Sequence, residues 1–69
     1  MTGTISRIAI ARGFGFISAD DGGPDVFFHM KDCDPGLPFD EALIERHVEF
    51  NTTPSDKGLR ANSVRPSHR

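Results

Sequence analysis

Two short runs of alternating side chains, joined by a turn-forming segment, constrain this chain more than any other feature. Phe14-Gly15-Phe16-Ile17-Ser18 and Asp25-Val26-Phe27-Phe28-His29-Met30 flank Asp20-Asp21-Gly22-Gly23-Pro24. In an extended chain, successive side chains point to opposite faces. Phe14 and Phe16 therefore share one face, and Ile17 takes the other. In the second run Val26 and Phe28 belong to a core, while Phe27 and His29 lie on the face of Phe14 and Phe16. The Asp-Gly-Gly-Pro turn residues predict a hairpin between the two runs. An isolated two-stranded hairpin is at best marginal in water, so further strands must cover its apolar face.

The remaining segments supply them. Thr4–Ala11, with Ile5, Ile8 and Ile10, reads as a strand, as do Arg46–Thr52 and Gly58–Val64. Ala11-Arg12-Gly13 is a tight connection, and 53–58 is a loop. The long segment Lys31–Glu45 carries Pro35, Gly36 and Pro38, then one or two helical turns after an Asp40 cap. Five short strands and one long crossing loop predict an all-β fold, a small five-stranded antiparallel barrel. With 69 residues there is room for one domain, read as 1–65, followed by a basic tail over 66–69. A domain of this size buries only about 60% of its unfolded surface, which disfavours a deep, dry catalytic cavity. No nucleophile–base or carboxylate pair is signalled, so an enzyme is not expected.

Charge and cysteine content narrow the field further. The net charge is -2, which argues against polyanion binding through bulk charge but permits a local basic face. Acids gather between Asp20 and Glu49, while basic residues flank them on both sides. The acids of 32–49 read as a solvated face kept off nucleic acid. Cys33 is the single cysteine, so no internal disulfide forms, and a reducing compartment, the cytosol, is expected. No signal peptide or membrane-spanning run is seen. Asp20, Asp21 and Asp25 lack calcium-loop spacing, and His29, Cys33 and His47 lack zinc spacing, so no metal or cofactor is expected.

All six aromatic residues are Phe, and their placement carries the chemistry. Phe14, Phe16 and Phe27, with His29 beside them, make a surface on which nucleobases stack at about 1–3 kcal/mol each. Gly13 and Gly15 read as leaving the flanks of the rings open. Arg12 stands at the strand entrance, ready for a phosphate or for stacking. Met30 either borders this surface or fills a packing gap. Phe39 either caps the surface from the long loop or folds under it.

Two module types use such a surface. The run Arg12-Gly13-Phe14-Gly15-Phe16-Ile17 fits the start of an RNP1 pattern, but Ala19 stands where an aromatic is expected, and two full helices are absent. The chain instead resembles the bacterial cold-shock protein family over about residues 1–65. Gly3, Arg12 to Ile17, Asp21-Gly22-Gly23, Asp25 to His29, Val48-Glu49-Phe50, and Lys57-Gly58 followed by Ala61 and Val64 carry the resemblance. It implies an OB-fold barrel that binds single-stranded RNA and DNA and serves as RNA chaperone or as a regulator of transcription or translation. The expected binding residues are Arg7, Arg12, Phe14, Phe16, Phe27, His29, Met30, Phe39, Lys57 and Arg60, in a monomer needing no small-molecule substrate and no membrane.

The chain departs from the family in its first strand. Ser6-Arg7-Ile8 replaces the usual Lys-Trp-Phe, and Met30 replaces a Phe. Each lost stack lowers the expected affinity; Arg7 either recovers part of it by stacking or remains a solvated charge. Glu45-Arg46-His47 stands where the family often has a turn glycine. A second reading is a protein-interaction OB module with weakened nucleic-acid binding.

Overall fold

The computed structural model describes residues 1–56 and 58–67. It contains five strands: β1 (Thr2–Ala9), β2 (Phe14–Ala19), β3 (Val26–His29), β4 (His47–Ser55) and β5 (Gly58–Pro66). They hydrogen-bond in the order β1-β2-β3-β5-β4, and β4 returns to β1, so the sheet closes on itself. Short 3₁₀ turns at Ile10–Arg12, Met30–Asp32 and Glu41–Leu43 are the helical elements among the described residues. The last carries the expected cap: the Ala42 N–H donates to the Asp40 carboxylate at 2.7 Å.

The fold is all-β with five strands, as the segment pattern predicts, but its pairing is mixed. β3 and β5 run parallel, with Phe27 opposite Arg60. The expectation of antiparallel pairing throughout is therefore corrected. The reason is parity: direction alternates around an antiparallel ring, and an odd number of strands cannot close without one parallel neighbour. β4 and β5 also outrun their predicted ends. Pro54 pairs with Leu59, and Ser55 with Gly58, so most of the predicted 53–58 loop is strand. At the other end Arg65 and Pro66 continue β5, and the Ser67 N–H donates to the His47 carbonyl at 3.1 Å.

Alternation fills the interior. Ile5, Ile17, Val26, Phe28, Val48, Phe50 and Val64 are fully buried, one or two from each strand. Each such side chain contributes about 1.5–3 kcal/mol by leaving water. Gly15 faces this core, not the aromatic surface. A Cβ there would lie 2.8 Å from the Phe28 ring and 2.6 Å from the Arg7 carbonyl. Gly13 has φ +75° and ends the Ile10–Arg12 turn in the left-handed region. The two glycines are thus required by core packing and by the turn, rather than by access to the rings.

A bulge in β1 has consequences for the surface. Ile5 pairs with Ile17, yet Arg7 pairs with Phe16, so Ser6 and Arg7 together oppose one residue. Ile5 stays in the core, Ser6 and Arg7 are both exposed, and Ile8 turns back to pack against the core. Unbroken alternation would have pointed Arg7 inward.

Candidate nucleic-acid interface

Phe14, Phe16 and Phe27 come together on the outer face of β2 and β3, all half-buried. Phe16 pairs directly with Phe27, and Phe14 with His29. The ring centroids of Phe14 and Phe27 are 5.5 Å apart at an interplanar angle of 37°. Phe16 stands edge-on to both, at 5.9 Å and 85° from Phe14 and at 6.0 Å and 69° from Phe27. The two edge-on contacts follow from the ring quadrupole, which favours edge-to-face approach. The surface is therefore faceted rather than flat.

Cations and polar groups surround the rings. Arg12 lines a shallow depression with all three Phe residues. Arg7 lines another with Ser6, Phe16 and Asp25. Arg60 lines a third with Phe27, Ser55 and Asp56. Arg60 is not free: its Nε and Nη2 donate to Asp32 at 2.9 and 3.3 Å. Asp32 also accepts the His29 N–H at 2.9 Å. The His29 Nδ1 in turn accepts the Lys31 N–H at 3.2 Å, which leaves Nε2 as the ring's remaining hydrogen-bonding atom. Asp32 thereby fixes the turn after β3 and the Arg60 guanidinium at once, while the Lys31 N–H holds the His29 ring.

The sequence profile of the 'Cold-shock' DNA-binding domain matches residues 1–67. The chain belongs to this family. It is 55% identical over 64 residues to the cold shock-like protein CspA of Vibrio cholerae, covering 93% of this chain and 90% of that one. It is 42% identical over 64 residues to the cold shock-like protein CspA of Stigmatella aurantiaca, covering 93% of each. The solved structure of Drosophila Unr CSD456 superposes with a TM-score of 0.74 at 27% identity. That match covers 96% of this chain and 26% of the longer Drosophila chain.

Within this cold-shock domain, the residues assigned from sequence divide into groups. Phe14, Phe16 and Phe27 cluster, His29 adjoins Phe14, and Arg7, Arg12 and Arg60 border the rings. Met30 is 50% exposed, with its sulfur 3.0 Å from where a Gly13 Cβ would lie. Lys57 lies outside the described residues. Phe39 is corrected: it packs against the core, edge to face with Phe28 at 6.1 Å and 73°. Phe28 points inward from β3, so Phe39 lies on the side of the sheet opposite the three rings. An apolar ring reaching the open side of a small core gains more by burial than by standing in water.

Other side chains at the interface escaped the sequence reading. Asp25 faces the same way as Phe27 and His29 by parity alone, a signal that could have found it. Asp56 reaches the rim beside Phe27 only because β4 and β5 are long, which no local pattern reveals. Acidic groups thus touch the aromatic face, and the separation of charge along the chain does not survive folding. Cys33 is half-buried; burial, and secondarily the Asp32 carboxylate, push its thiol up to about 11. It remains protonated at neutral pH.

Proposed function

We propose that this cold-shock domain binds single-stranded RNA and DNA by stacking bases on Phe14, Phe16 and Phe27. His29 and Met30 border the stack, Arg12 meets phosphates, and Arg7 brings its charge and its guanidinium plane beside Phe16. The closed five-stranded sheet, read as an OB-type barrel, holds the rings in place without a cofactor. Bases held on phenyl rings cannot pair, so weak, fast binding melts hairpins, the action of a cytoplasmic RNA chaperone or of a regulator of transcription or translation. The observation that carries this reading is the cluster of three half-buried rings on the outer face of β2 and β3, bordered by the Arg7 and Arg12 guanidinium groups, which have no partner among the described residues. An apolar group of this kind, left partly open on a small domain, marks a binding surface.

The test is a titration of fluorescein-labelled oligo-pyrimidine strands, because the chain lacks Trp for intrinsic quenching. Phe14→Ala and Phe27→Ala should each weaken binding by about 1–3 kcal/mol, or about 5–150-fold. Unchanged affinity in both, with the variants shown to be folded, would exclude stacking as the source of binding.

A further inference from the structure

We infer that the depression lined by Ser6, Arg7, Phe16 and Asp25 is a base-reading subsite selective for guanine. The inference rests on the single-strand reading above and adds a specificity determinant to it.

The bulge in β1 carries Arg7 to the register position opposite Phe16. Asp25 precedes β3 with the parity of Phe27, on the other side of Phe16. Both line one depression with the Phe16 ring. Opposite charges sharing so small a space would ordinarily pair, yet neither residue has a hydrogen bond or ion pair among the described residues. Arg7 therefore keeps all five donors, and Asp25 keeps its acceptor oxygens. The Ser6 hydroxyl is turned to the Phe16 carbonyl at 3.4 Å, so it ties the bulge to β2 and leaves the reading to the two charges.

A ligand for this site needs an aromatic face for Phe16, paired acceptors for a guanidinium, and donors for a carboxylate. Unpaired bases display both their Watson–Crick and Hoogsteen edges to a protein. Guanine alone places two acceptors, O6 and N7, next to two donors, the N1 and N2 hydrogens. Arginine bound to O6 and N7 is the commonest specific base contact. Thymine and uracil offer one N–H donor and no acceptor pair of that spacing. Adenine places an amine beside N7 where Arg7 needs a second acceptor, and cytosine pairs N3 with O2 but offers the carboxylate a single donor nitrogen, N4, where guanine offers two. Wrong bases therefore lose hydrogen bonds that both charged groups otherwise make.

The experiment compares labelled oligo-dT heptamers carrying one guanine, scanned through each position, with the all-thymine strand. Guanine at its best position should tighten binding by about 5–50-fold. Replacing that guanine with inosine removes the N2 amine and should forfeit most of the part owed to Asp25. Replacing it with 7-deazaguanine removes N7 and should forfeit the part owed to Arg7. In the protein, Asp25→Asn should abolish the penalty for inosine, and Arg7→Lys the penalty for 7-deazaguanine, each penalty being read as a ratio to the same variant's own affinity for the guanine strand. Binding of oligo-dT with no gain from guanine at any position would overturn the inference while leaving the single-strand reading intact. Equal gain in parent and both variants would likewise overturn it. Failure to bind any strand at low salt would remove the single-strand reading, and the subsite with it.

Discussion

Glu45 has φ +74°, in the left-handed region that costs an L-residue about 1–2 kcal/mol. It opens the run Glu45-Arg46-His47, which reads from sequence as standing where the family often has a turn glycine. Its N–H donates to the Ile5 carbonyl at 2.7 Å, which fixes the turn into β4 against β1 and gives the backbone no freedom to relax. The side chain is exposed and makes no hydrogen bond or ion pair among the described residues. Glu45→Gly should therefore relieve strain without losing a contact, offset in part by the greater freedom of glycine in the unfolded chain. The net gain should be about 0.5–1 kcal/mol, raising the thermal midpoint by roughly 2–8 °C for a domain of this size. Glu45→Ala keeps the Cβ and should give no comparable gain; if it matches the glycine variant in a melting experiment, strain at this position is not the cause. Gly15 shows the converse case, since the space it leaves is filled by the Phe28 ring. Parity already carried the signal, since Gly15 alternates with Phe14 and Phe16 and so shares the core side with Ile17. The pairing of Gly15 with Phe28 shows what fills the space.

Among the elements, the β3–β5 seam has the shortest strand register in the closed sheet. Its strand register consists of the single pair Phe27 and Arg60. Beyond it lie one bridge from Cys33 to Val64 and the Asp34 N–H to Val64 carbonyl bond at 2.7 Å. Asp32 reinforces the seam by gripping the His29 backbone on one side and Arg60 on the other. The guanidinium is 44% exposed and the carboxylate 13%, so the ion pair itself is worth little, and the bond from the His29 N–H carries more. Asp32→Ala should cost about 1–3 kcal/mol in urea unfolding, with an unchanged denaturant slope. Asp32→Asn keeps an acceptor for His29 and should cost less. Equal loss in both would place the stabilisation in the charge instead. The two faces of β2 and β3 were legible in the sequence because alternation is local and the Asp-Gly-Gly turn fixes the register between them. The parallel seam was legible in principle, since five strands cannot close otherwise. The bulge at Ser6-Arg7 and the extension of β4 and β5 were not. They depend on which distant strand is the partner, and a run such as Asn51-Thr52-Thr53-Pro54-Ser55 reads locally as a loop.

At the scale of the whole molecule, the question is how a chain of net charge -2 holds a polyanion. Folding ties Arg60 to Asp32 and Arg65 to Glu49, and it brings Asp25 and Asp56 to the rim of the aromatic face. Of the cations bordering the rings among the described residues, Arg7 and Arg12 remain without an acidic partner. Each phosphate neutralised on a single strand contributes about 0.7 to the slope of log affinity against log salt. Two such charges give a slope of about -1.4, or roughly a sevenfold loss of affinity between 50 and 200 mM salt. Strongly basic nucleic-acid binders lose far more over the same range. Binding here should therefore rest chiefly on stacking, which salt does not screen. Arg12→Ala should flatten the slope by about 0.7 and lower affinity mainly at low salt. Phe14→Ala should lower affinity by a similar factor at every salt concentration and leave the slope unchanged. Asp32→Asn releases Arg60 and should steepen the slope by about 0.7. Parent titrations with a slope steeper than about -4 would mean that charge outside the aromatic face dominates the complex. Stacking would then be the minor contribution.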